Sequence, residues 1–98
     1  MAEHAGVVRV THFQPALGKR DELIDRLEAG ASDIRKVEGC FGAQICSVRE
    51  MPDVIGAVSR WSSQAALDRW VSASAAQRSE LSPLLAAAPM SEHLDALT

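Results

Sequence analysis

The apolar positions change period at Trp61. In the stretch VIGAVSRWSSQAALDRWVSASAA, from Val54 to Ala76, the residues up to Trp61 are mostly β-branched or small. That composition predicts a strand with at least one packed face, and Ser62 and Ser63 then offer hydroxyls to the free amides of a new helix. Beyond them Ala66, Leu67, Trp70, Val71 and Ser74 recur at three- and four-residue spacing. One face of that helix must therefore lie on something, with Trp61 expected under its first turn.

The rest of the chain is patterned in the same way. Gly6 to Gln14, GVVRVTHFQ, is a first strand stopped by Pro15 and Gly18. Val7, Arg9, Thr11 and Phe13 share one face and Val8, Val10 and His12 the other, which suits a sheet covered on both sides. Leu23, Ile24, Leu27, Ala31 and Ile34 make a helical stripe between Lys19 and Val37, opened by Asp21 and Glu22 and closed by Gly39. Cys40 to Arg49 reads as a second strand, with Gly39 and Gly42 marking a turn or bulge at its start. Met51-Pro52-Asp53 reads as the hairpin turn into the strand that ends at Trp61. Ser82-Pro83 restarts a helix with Leu84, Leu85 and Ala88 facing inward, and Pro89 ends it. Met90 to Thr98 is assigned as the last strand from its weak alternation. Strand, helix, strand, strand, helix, strand is the split βαβ order of a ferredoxin-like α+β sandwich, with an antiparallel sheet and helices on one face. The valines on the other sheet face predict a second copy packed sheet to sheet.

Composition narrows the class further. Ninety-eight residues, 47% hydrophobic and 23% charged, predict one globular domain spanning residues 1–98. A net charge of -3, with no basic run longer than Gly18-Lys19-Arg20, argues against nucleic acid and anionic membranes as partners. No apolar run approaches the roughly 20 residues of a membrane span, and Met1 to Gly6 lacks the pattern of a signal peptide, so a cytoplasmic location is expected. Cys40 and Cys46 fall in one predicted strand, about 20 Å apart, too far for a disulfide, and are read as free thiols. His4, His12 and His93 are scattered, and no metal or cofactor site is expected.

On these residues the chain resembles the antibiotic biosynthesis monooxygenase domain family of the dimeric α+β barrel superfamily. Val7 to Phe13 with Gly18-Lys19, the Glu38-Gly39-Cys40 corner with Gly42, and Trp61-Ser62-Ser63 with Ala66-Leu67 and Trp70 carry the resemblance. The aromatic corner is the most specific of them. The resemblance implies a homodimer and, in many relatives, cofactor-free oxygenation of quinols or aromatic polyketides. It also implies a cavity between sheet and helices with Trp61 as a wall. Thr11 departs from the asparagine that several family enzymes carry at that position. Ser62 to Ala88 contains no histidine, which disfavours the haem-degrading branch, and with no tyrosine in the chain a phenol cannot be the polar partner of a substrate.

Cofactor-free oxygenation asks for a shaped apolar pocket, a donor or cation for an oxyanion, and in some cases a base. Trp61, Thr11 and His12 are the candidate catalytic residues, and Phe13, Ser59, Trp70 and Arg9 the candidate substrate contacts, with Arg60 a second candidate cation. Each has a plainer role open to it. Either tryptophan can be packed core, His12 can hydrogen-bond within a dimer face, and serines and threonines are ordinary in strands. Two function classes follow, a small monooxygenase acting on a quinol or polycyclic phenol, and a non-catalytic dimeric barrel that binds an apolar metabolite or acts as an accessory subunit. A third reading, an acid–base isomerase or cyclase, would depend on His12.

Overall fold

A computed structural model describes residues 6–97; the expectation of a loose end over Met1 to Ala5, the position of His4, and Thr98 lie outside them. The chain runs β1 (Val7–Phe13), α1 (Arg20–Ile34), β2 (Cys40–Val48), β3 (Met51–Trp61), α2 (Gln64–Ala73), α3 (Ala75–Ser79), a 3-10 turn (Ser82–Leu84) and β4 (Met90–Asp95). The sheet order is β2-β3-β1-β4 with every neighbouring pair antiparallel. Each crossover skips one strand, so this is the ferredoxin-like βαββαβ topology expected of the element order.

Several boundaries shift for identifiable reasons. Helix α1 ends at Ile34 rather than Val37, because Lys36 and Val37 donate to the carbonyls three residues back, at 3.1 and 3.0 Å, and tighten the chain into a turn. The hairpin turn is Arg49-Glu50, since Val48 pairs with Met51, and Met51-Pro52-Asp53 belongs to β3. Pro52 is tolerated there because β3 runs past its last β1 partner, Phe13 opposite Ile55, and its register to β2 is irregular between Ser47 and Val48. The predicted bulge near Gly42 is present as a register shift between Cys40 and Gly42. Cys40 and Cys46 both lie on β2.

The helix after Trp61 starts as its serines require, with Ser63 Oγ accepting from the Ala66 amide at 3.2 Å. It breaks at Ser74, so α2 and α3 are separate although the Trp70 to Ser74 and Ser74 to Arg78 backbone bonds continue the same turn direction. The helix expected after Ser82-Pro83 is a single 3-10 turn. Leu85 then extends, at ψ 138, and Ala88 is exposed rather than packed, because the helical spacing that would turn it inward is gone. This strap is pinned to the loop after β1 by Ala16 N–H to Leu84 O and Ala86 N–H to Gln14 O, both 2.8 Å.

The apolar core between sheet and helices is in two parts. One gathers Val7, Ala31, Ile34, Ala43, Ala66 and Leu67 around Trp61; the other gathers Phe13, Leu23, Leu27, Ile55, Leu81 and Leu84. On the opposite sheet face Val8, Val10 and Val58 are only half-buried, and Met90 and Leu94 are 76% and 48% exposed. No helix among the described residues is long and apolar enough to cross a membrane.

Candidate functional site

Between the two core clusters the facing residues are small. Ala43 of β2, Ala57 and Ser59 of β3, Gly30 and Ala31 of α1 and Ser74 at the α2–α3 junction leave space that larger side chains would have closed. The result is a half-open cavity of about 1040 Å³. Its floor is the sheet, one wall is α1 from Leu27 to Ile34, and the other is Trp70, Arg78 and the strap from Leu81 to Pro89. Apolar surface predominates, as expected for a small-molecule site.

The polar groups concentrate on the floor where β1 meets β4. Thr11 Oγ1 and Ser91 Oγ are 2.8 Å apart, and either can donate. Arg9 Nε donates to Thr11 Oγ1 and its NH2 group to Ser91 Oγ, each at 3.3 Å. Burial first, and the nearby Arg78 charge second, hold the Arg9 guanidinium below the usual arginine range. Across the cavity Arg78 is braced by donating to Ser74 Oγ and, at 2.8 Å, to the Val71 carbonyl.

Five of the residues singled out in the sequence therefore line one space: Arg9, Thr11, Phe13, Ser59 and Trp70. Two do not. Trp61, on the same sheet face as Ser59, is fully buried under the first turn of α2, packed with Ala66 and Leu67, and its Nε1–H is already donated to Ser59 Oγ at 2.9 Å. It supports the wall instead of forming it. His12 has the opposite parity on β1, pairs with Gly56 and Met90, and sits on the far face of the sheet. Arg60 shares that far face. Among the described residues no group of three His, Cys, Asp or Glu is placed to hold a metal.

Ser59 links the two settings, since its hydroxyl lines the cavity and also satisfies the buried indole. Ser59→Ala should cost about 1–3 kcal/mol by leaving that N–H without a partner, measured by chemical denaturation. A loss near zero would show that the indole bond does not matter and would leave Ser59 free to act on a ligand.

This arrangement, an antiparallel four-stranded sheet with helices on one face and a cavity between them, is that of a ferredoxin-like α+β domain. The chain belongs to the antibiotic biosynthesis monooxygenase family, whose model matches residues 6–79. Similar folds include Rv0793 from Mycobacterium tuberculosis, 22% identical at a TM-score of 0.82 and covering 94% of this chain and 95% of that one. The Shewanella oneidensis protein SO0527 is 24% identical at 0.80, with 92% and 89% covered. NE2512 from Nitrosomonas europaea, described as of unknown function, is 15% identical at 0.84, with 99% and 94% covered. These likenesses show the fold. No protein of curated function matches the chain.

Ser91 and the strap lie beyond the family match, while Arg78 lies near its end. Sequence patterning gives Arg78, Ser74 and Ser91 no site role, and Ser74 enters it only as part of the helical stripe after Trp61. A signal for the first two was present, because Trp70, Ser74 and Arg78 recur every four residues and so share a helix face.

Proposed function

We propose that the protein is a cofactor-independent monooxygenase acting on a quinol or polycyclic phenol bound in the cavity. The observation that supports this reading best is the pairing of apolar walls with a cationic, hydroxyl-bearing floor in one half-open space. A phenolate or enolate can pass an electron to oxygen without a prosthetic group once it is held out of water. Oxygen then joins the ring carbon as a hydroperoxide, and loss of water converts an activated CH2 to C=O. One oxygen atom ends in the product and one in water, with the substrate carbon supplying the electrons.

In this scheme Arg9 is the cation for the oxyanion, and the Thr11 and Ser91 hydroxyls orient it. Phe13 and Trp70 hold the ring system. Trp61 acts only through Ser59, and His12, on the far sheet face, is not the base. The second chain of the proposed homodimer would cover Val8, Val10, Val58 and Leu94. Sedimentation at micromolar concentration should then give twice the chain mass, and a monomer would contradict the pairing.

Oxygen uptake tests the reaction. With a panel of quinols and naphthols the wild type should consume oxygen above the uncatalysed rate. Ala57→Phe, which places a ring in the middle of the floor, should reduce that by about a hundredfold through misplacement of the substrate while melting near the wild type. Saturable binding of the panel without any uptake would favour the non-catalytic binding barrel instead.

A further inference from the structure

We infer that the preferred ligand is an aromatic carboxylate, its ring against the apolar walls and its carboxylate between Arg9 and Arg78. This rests on the cavity being the substrate site, and it narrows the substrate to a phenol or quinol that also carries an acid group.

Two guanidiniums line one cavity from opposite sides, Arg9 from the sheet floor and Arg78 from α3. Among the described residues neither meets a carboxylate, and the ion pair found there is Lys19–Glu22, 3.8 Å apart at the surface. The bonds each arginine makes are to neutral oxygens, Thr11 and Ser91 for Arg9, Ser74 and Val71 for Arg78. Those bonds fix the planar groups in place without neutralising them. Other charged groups lining the cavity are Arg26 and Asp33 on α1 and Glu80 after α3, all exposed; the exposed imidazole of His93 stands opposite Arg9 in the β1–β4 register. Half-buried Arg9 is disfavoured as a cation by its burial and by Arg78, and a bound anion relieves both effects.

The geometry favours a carboxylate over a lone phenolate because two oxygens can serve two forked donors, and a carboxylate is ionised at neutral pH without a base. Phe13, Ile45, Leu81 and Trp70 offer nothing to a small inorganic anion, but they suit a fused ring.

Calorimetry at pH 7 with 2-naphthoate and its neutral isostere 2-naphthamide reads the charge preference apart from any oxygen chemistry. The wild type should bind naphthoate about tenfold more tightly, ~1.4 kcal/mol. Arg78→Gln and Arg9→Gln should each remove most of that preference, weakening naphthoate by a much larger factor than naphthamide; Arg78→Lys should keep part of it. Melting temperatures identify any variant that fails to fold, and two independent positions keep the comparison usable. Equal affinity for acid and amide in the wild type overturns the inference, as does a preference that survives both substitutions, or no binding of either compound. Oxygen uptake with neutral quinols in a protein without the charge preference would overturn this inference alone. The charge preference in a protein without uptake on any quinol would overturn oxygenation alone.

Discussion

Trp61→Ala should lower the free energy of unfolding by about 3–5 kcal/mol, the loss typical of emptying a buried aromatic site. The side chain is 0% exposed and stands at the centre of one of the two core clusters, touching elements from the sheet and from the first turn of α2. Its removal leaves a void that backbone on both sides is poorly placed to fill. Residue Gly6, whose N–H donates to the Trp61 carbonyl at 2.8 Å, and Ser62, whose N–H donates to Gly39 O at 2.8 Å, hold the main chain fixed around it. Trp61→Phe should cost less, since most of the volume stays and the lost N–H leaves Ser59 partly exposed to the cavity. Urea denaturation of the three proteins gives the comparison. A loss below about 1 kcal/mol for the alanine variant, where a core aromatic should cost several, would mean that the cavity reaches Trp61 and that the indole is a wall after all.

Gly39→Ala should cost about 2–4 kcal/mol, the sum of a left-handed backbone and a forced contact. Gly39 has φ +89, and a Cβ there would stand 2.7 Å from the Ala66 Cβ and 3.1 Å from Ser62 Oγ. Both neighbours belong to the corner after Trp61, so the glycine lets the α1–β2 turn press directly on the start of α2. Ala66 is itself buried and cannot swing aside. Gly39→Ala paired with Ala66→Gly separates the two causes: the double variant should recover the contact part and retain the backbone part. A single variant as stable as the wild type would show that the corner is not tightly packed.

Much of this fold was legible because local signals agreed with one another. The period change at Trp61, the serine cap and the stripe on α1 each rest on neighbours in sequence, and all three appear where they were expected. Strand parity also placed Arg9, Thr11 and Phe13 together and His12 opposite them, since alternation needs no knowledge of the partner strand. The hairpin turn differs from the sequence expectation because Pro52 is ordinarily a turn residue, and only the register shows β3 running on past its last β1 partner to Met51 opposite Val48. Trp61 has the same parity as Ser59, yet the first turn of α2 covers one and not the other. That difference depends on how the helix lands, which no strand pattern encodes. Ser91 joins Thr11 through a pairing between opposite ends of the chain, and Arg78 reaches the cavity across a break at Ser74. Long-range register and helix breaks of this kind are where local reasoning stops.

An aromatic ligand should enter the cavity on the helix side of the sheet. This is tested most directly by following the two indole N–H signals and the backbone amides in a 1H–15N titration with 2-naphthoate. Ligand entry should move the Trp70 indole and the Thr11, Ser59 and Arg78 signals together along one saturable curve. The buried Trp61 indole, bonded to Ser59, should respond only weakly, and the His12 imidazole on the far face should not move. Shifts centred on His12, Met90 and Leu94 with Trp70 silent would place binding on the outer sheet face and rule out the cavity as the ligand site.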